Sequence, residues 1–181
     1  MSFLLLSPSN RTPHLNPAIT ISVSILRKIK LTSAVFILLS QFIGALIGAG
    51  FIFIQIDPVT LALISEKSKL GIPYAGGHTE NSALWAELIG TFFITYMFMA
   101  SFLDSNKNKL KNIAPILVGL IVYVCKITLG ELSGGGFNPA RSIGPAIVGG
   151  RIESNEIILL FAPFVGSIMA SVVFNSIFVD D

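Results

Sequence analysis

The tripeptide Asn16-Pro17-Ala18 returns 122 residues later as Asn138-Pro139-Ala140, and the register persists downstream without a gap. At that offset Ile21 meets Ile143, Ile25 meets Ile147, Leu38 meets Leu160, Phe42 meets Phe164 and Gly44 meets Gly166. A chance tripeptide does not bring a matched short apolar stretch and a matched long hydrophobic segment along with it. The chain therefore holds two copies of one structural unit, and its 181 residues correspond to a single domain that must accommodate both.

The setting is a membrane. Charged residues make up 12% of the chain, about half the ~25% share of an ordinary soluble domain, and the mean hydropathy is +0.79. The charges bunch, leaving four apolar segments over residues 31–56, 81–103, 113–130 and 157–179, of which the second carries only Glu87 and the third only Lys126. Each is near the ~20 residues that cross a hydrocarbon core of ~30 Å, and we read all four as spanning helices. Twelve basic against ten acidic residues give a formal charge of +2 without a long basic block, so nothing points to nucleic acid. A lone Cys125 excludes an internal disulfide framework and a thiolate metal cluster. The apolar run in Met1 to Leu6 is too short for a secretory signal. The side holding the amino terminus carries Arg11, Arg27, Lys28, Lys30, Lys107, Lys109 and Lys111, against Lys67, Lys69, Arg141 and Arg151 on the other, which makes the first side cytoplasmic. On that side the Asn10-Arg11-Thr12 sequon goes unused.

With four spans, the two copies start from opposite faces, the arrangement of an inverted-topology repeat. Each tripeptide reads as a helix start, because Asn is a favoured N-cap and Pro suits the first helical position. The helices that follow, over residues 17–27 and 139–149, would rise only ~16 Å, about half of the hydrocarbon core. Their amino termini would meet near the midplane. Irregular backbone at that depth is tolerated where it is packed in protein or lines a wet cavity, and Leu132-Ser133-Gly134-Gly135-Gly136-Phe137 suits such a loop. Two helix amino termini and two Asn amides would turn a water oxygen toward themselves, interrupt a proton-conducting chain and repel cations. The residues thus imply a conduit for a small neutral solute. No nucleophile–base pair or metal-ligand cluster marks an enzyme, and no metal or cofactor is implied.

These segments resemble the aquaporin (major intrinsic protein) family. His14-Leu15-Asn16-Pro17-Ala18-Ile19-Thr20 is similar to its first signature, Gly136-Phe137-Asn138-Pro139-Ala140-Arg141-Ser142 to its second, and Gln41-x-x-Gly44-Ala45 to the helix after the first. The resemblance implies an all-α membrane bundle, here four spanning helices plus two re-entrant half-helices, with four subunits per complex and one pore in each. It places Asn16, Pro17, Ala18, Asn138, Pro139 and Ala140 at the pore midpoint, and Arg141, Lys126 and Gly135 in the narrow outer filter. It also implies that Glu87 accepts hydrogen bonds from the backbone of the second re-entrant loop. His14 either lines the inner vestibule or simply packs. Ser142 and Ala146 resemble the water-selective branch, while Leu159-Leu160 departs from the Phe-Trp pair common there.

Two departures bear on function. Lys126 stands where water channels usually carry His and glycerol channels a small residue. Three outcomes are open to its ammonium beside Arg141: to block the pore, to snorkel outward, or to pair with an acid such as Glu131. Second, only 13 residues precede His14, too few for the two spans that precede the second copy. Two readings follow: a passive channel for water or other small neutral solutes that excludes protons and ions, or a non-conducting truncated protein or accessory subunit associated with full-length channels.

Overall fold

In the computed structural model, residues 14–103, 112–150 and 156–178 are described. The sequon and Lys107, Lys109, Lys111 and Arg151 lie outside them. Every regular element among the described residues is helical: α1 Pro17–Ile25, α2 Leu31–Gln55, α3 Pro58–Ser68 with a 3-10 turn Lys69–Gly71, α4 Glu80–Phe102, α5 Ala114–Ser133, α6 Pro139–Val148 and α7 Glu156–Phe178. Helices α2, α4, α5 and α7 are long and apolar enough to span a bilayer.

Local chemistry sets the ends. Asn16 and Asn138 cap α1 and α6, each followed by Pro at the first helical position. Helix α1 stops at Ile25, two residues short of the sequence reading, because Arg27 turns left-handed (φ 55°). Its N–H then bonds Ser24 O at 2.9 Å and the Lys28 N–H bonds Val23 O at 3.1 Å, a Schellman closure made without glycine. The charged stretch after α2, read from sequence only as a connection, contains α3. Asp57 starts it by accepting from the N–H groups of Val59 and Thr60, both at 3.0 Å, with Pro58 behind it.

Helix α4 is the central column, packing against α5, α7 and α1. The two repeats then interlock: α1 of the first copy packs on α7 of the second, and α6 of the second on α2 of the first. The buried core lies among α1, α4, α5 and α7, with Ile19, Val23, Phe98, Met99, Val118 and Phe174 in contact. Half of the apolar window of α4 and of α7 is buried, but only 6% of that of α2, whose Phe36, Ile43, Ile47 and Phe51 face outward. A spanning helix presents apolar side chains outward to lipid or to another helix, so their exposure is no defect.

Matched repeat positions differ in surroundings. A Cβ on Gly166 would collide with the Leu88 carbonyl, so α4 and α7 approach closely only because position 166 is bare. The counterpart Gly44, and Gly48 one turn on, meet nothing within 4 Å. Gly166→Ala is therefore expected to destabilise the protein by about 1–3 kcal/mol through overpacking. Gly44→Ala should be neutral or gain up to ~1 kcal/mol of helix propensity. Thermal unfolding in detergent measures both, and equal losses would contradict the asymmetry.

Candidate functional site

The two capping asparagines do two jobs each. Asn16 Oδ1 accepts from Ala18 N at 3.0 Å, and Asn138 Oδ1 from Ala140 N at 3.1 Å and Arg141 N at 3.2 Å, closing the first turns of their own helices. The amide nitrogens reach across the repeat: Asn16 Nδ2 donates to Phe137 O at 2.8 Å, and Asn138 Nδ2 to Leu15 O at 2.9 Å. Each acceptor is the carbonyl just before the opposite asparagine. The two half-helix tips are thus bolted together reciprocally, and each amide keeps a second hydrogen.

The loop leading to Asn138 is held from behind by Glu87 of α4, which is fully buried. Glu87 Oε1 accepts from Ser133 Oγ and Gly136 N, both at 2.7 Å, and Oε2 from Phe137 N at 2.6 Å. Ser133 Oγ in turn accepts from Gly135 N at 3.1 Å. One carboxylate therefore satisfies, directly or through Ser133, three consecutive N–H groups that have no helix partner. Phe137 sits in the left-handed region (φ 51°), and its ring fills the groove left by Gly90, where a Cβ would strike it.

Beside these tips runs a cavity of about 380 Å³, roughly a dozen waters at ~30 Å³ each. Its lining combines the apolar Ile19, Ile94, Phe98, Val118 and Val122 with the polar groups of His14, Asn16, Asn138, Gly135, Lys126 and Arg141. The Arg141 guanidinium donates through Nη1 to the carbonyl of Gly71. Lys126 folds back onto the loop, its Nζ donating to Gly134 O at 2.5 Å and Gly135 O at 3.0 Å. Of the three outcomes open to it, pairing with Glu131 is not the one taken. Gly135 (φ 63°) makes room, since a Cβ there would lie 2.8 Å from Lys126 Cδ.

Comparison with known proteins decides what this arrangement belongs to. The family model described as Major intrinsic protein matches residues 12–174. The chain belongs to the major intrinsic protein family. It is 31% identical over 169 residues to Aquaporin-4 of Rattus norvegicus, covering 93% of this chain and 50% of the relative. It is 32% identical over 166 residues to Aquaporin PIP1-3/PIP1-4 of Zea mays, covering 88% and 55%. The chain thus spans about half the length of the curated relatives it matches. The X-ray structure of the aquaglyceroporin from Plasmodium falciparum shares the fold, with a TM-score of 0.73 at 24% identity over 96% of this chain and 76% of that one. With its four spanning helices, this major intrinsic protein is a multi-pass membrane protein.

Other residues singled out from sequence fall in different places. His14 is buried and lines the cavity, with Nδ1 2.8 Å from Thr20 Oγ1, so packing and lining hold together. Gln41 of α2 ties this end by donating through Nε2 to His14 O at 2.8 Å and Thr20 Oγ1 at 2.9 Å. Ser142 and Ala146, by contrast, are buried and do not line the cavity. Sequence reasoning missed Ser133 and Gly71. A hydroxyl at the end of a span before a glycine run was a signal for Ser133, but nothing local to Gly71 announces an acceptor for an arginine 70 residues away. Glu87→Gln should cost about 1.5–3 kcal/mol, because its NH2 would face a backbone N–H in place of a charge-assisted bond. Chemical unfolding in detergent checks this, and unchanged stability would contradict the role given to the carboxylate.

Proposed function

We propose that the protein provides a passive transmembrane path for water or other small neutral solutes, with Asn16 and Asn138 at its midpoint and Arg141, Lys126 and Gly135 at its narrow outer end. The reciprocal bolting of the two half-helix tips beside a continuous cavity carries this reading. Each tip contributes partial positive charge, and Asn16 and Asn138, each with one amide hydrogen left, line the cavity, so a passing water would present its oxygen there. A hydrogen-bonded proton wire is broken at that point, and a cation meets a repulsive field in a low-dielectric channel. The apolar part of the lining gives a solute little to hold it, which favours transit over binding. His14 stands at the inner end and Glu87 acts through the loop it holds. Assembly into homo- or hetero-tetramers, one path per subunit, belongs to the same reading.

The second reading is a non-conducting protein or a subunit that joins longer channels. It is favoured by Gly44 and Gly48, whose open surroundings contrast with the filled seat at Gly166. Stopped-flow shrinkage of proteoliposomes separates the two. Permeability above empty vesicles supports conduction by this chain, and background permeability with protein demonstrably inserted supports the second reading. Lys126→His is expected to raise water flux severalfold by replacing the long ammonium with a shorter ring. Unchanged flux would place Lys126 outside the constriction.

A further inference from the structure

Two cationic side chains line the same cavity, and none of its lining residues is acidic. Their partners among the described residues are carbonyl oxygens: Gly134 and Gly135 for Lys126, Gly71 for Arg141. An ammonium has three donors and a guanidinium five, so both keep unspent N–H groups after these contacts. Glu87, the acid behind the loop, is fully buried, and both of its oxygens are taken by Ser133, Gly136 and Phe137. Even with its charge counted against them, one positive charge is left over, before the half-helix ends are added.

We propose that the Arg141 end of the cavity binds a small, weakly hydrated monovalent anion, held by the Lys126 ammonium and the Arg141 guanidinium. Two like charges lining one cavity repel each other until a counter-charge arrives, and no side chain lining this cavity supplies one. The pose of Lys126 is built in: the bare Gly135 lets its stem lie across the loop, and two carbonyls fix the ammonium. A planar guanidinium presents paired donors suited to an oxoanion or halide. Val118 and Val122, on the same helix as Lys126, supply an apolar wall that selects against strongly hydrated ions such as sulfate. The consequence for transport rests on the proposed conduit: an anion seated there obstructs the path for neutral solute, making the dicationic mouth a brake set by anion concentration.

The binding step is tested without transport. Chloride-35 line broadening is measured on the full chain in detergent, with nitrate as competitor and sulfate as control. The expected result is a saturable broadening that nitrate removes and sulfate does not. Affinity should weaken at least about tenfold in Lys126→Met, which keeps the apolar stem, as follows from losing one hydrogen bond to a charged group. It should be retained in Lys126→Arg and in Lys28→Gln, the latter on an exposed residue outside the cavity. Absence of saturable broadening, or equal affinity in Lys126→Met, overturns the proposal. A chain that binds chloride through Lys126 yet passes no water overturns only the conduit reading. One that passes water without a Lys126-dependent signal overturns only the anion site.

Discussion

Away from bulk water an unpaired backbone N–H is costly, and the stretch from Gly135 to Phe137 carries three of them outside any helix. Glu87 resolves this by accepting from Gly136 and Phe137 directly and from Gly135 by way of Ser133. Once these donors are satisfied, the carbonyl of Phe137 is presented to Asn16, and Asn138 can reach Leu15. The cavity, the lysine lying over Gly134 and Gly135 and the cap on α6 all depend on that loop holding its shape. A buried carboxyl in a spanning helix is costly unless its partners are in place, and here they are supplied by the structure it stabilises.

The inverted repeat has a two-way logic. Each half-helix rests on the long helix of the other copy, so neither copy completes its own packing. The second copy also has α4 and α5 ahead of it, and α4 fills the seat made by Gly166, where Leu88 presents its carbonyl. The matching face of α2, with Gly44 and Gly48, is bare. On the α2 side Gln41 still ties down the His14 end through Nε2, while its buried Oε1 has no partner among the described residues.

Much of this was readable in advance, for physical reasons. A repeat register, an N-cap before Pro and a charge-poor segment are local or periodic signals, and they led to Asn16, Asn138 and the four spans. Helix α3 was hidden because its sequence, short and ending in Ser-Glu-Lys-Ser, carries neither spanning length nor a clear apolar face. The end of α1 at Ile25 depended on Arg27 adopting a conformation usually left to glycine. Lys126 was recognisable as unusual, but its fate was not, since its partners are backbone carbonyls whose direction is set by the fold of the loop. Ser142 and Ala146, whose likeness to the water-selective branch is a matter of sequence, are buried and outside the cavity lining.

The account stands on a rigid, irregular loop that keeps the two half-helix tips face to face. Residue-resolved amide hydrogen exchange on the reconstituted protein tests this most directly. Gly136 and Phe137, although outside any helix, should exchange as slowly as the interior amides of α4. Exchange at these two positions as fast as at Gly76 and Gly77, in the exposed turn before α4, would contradict it.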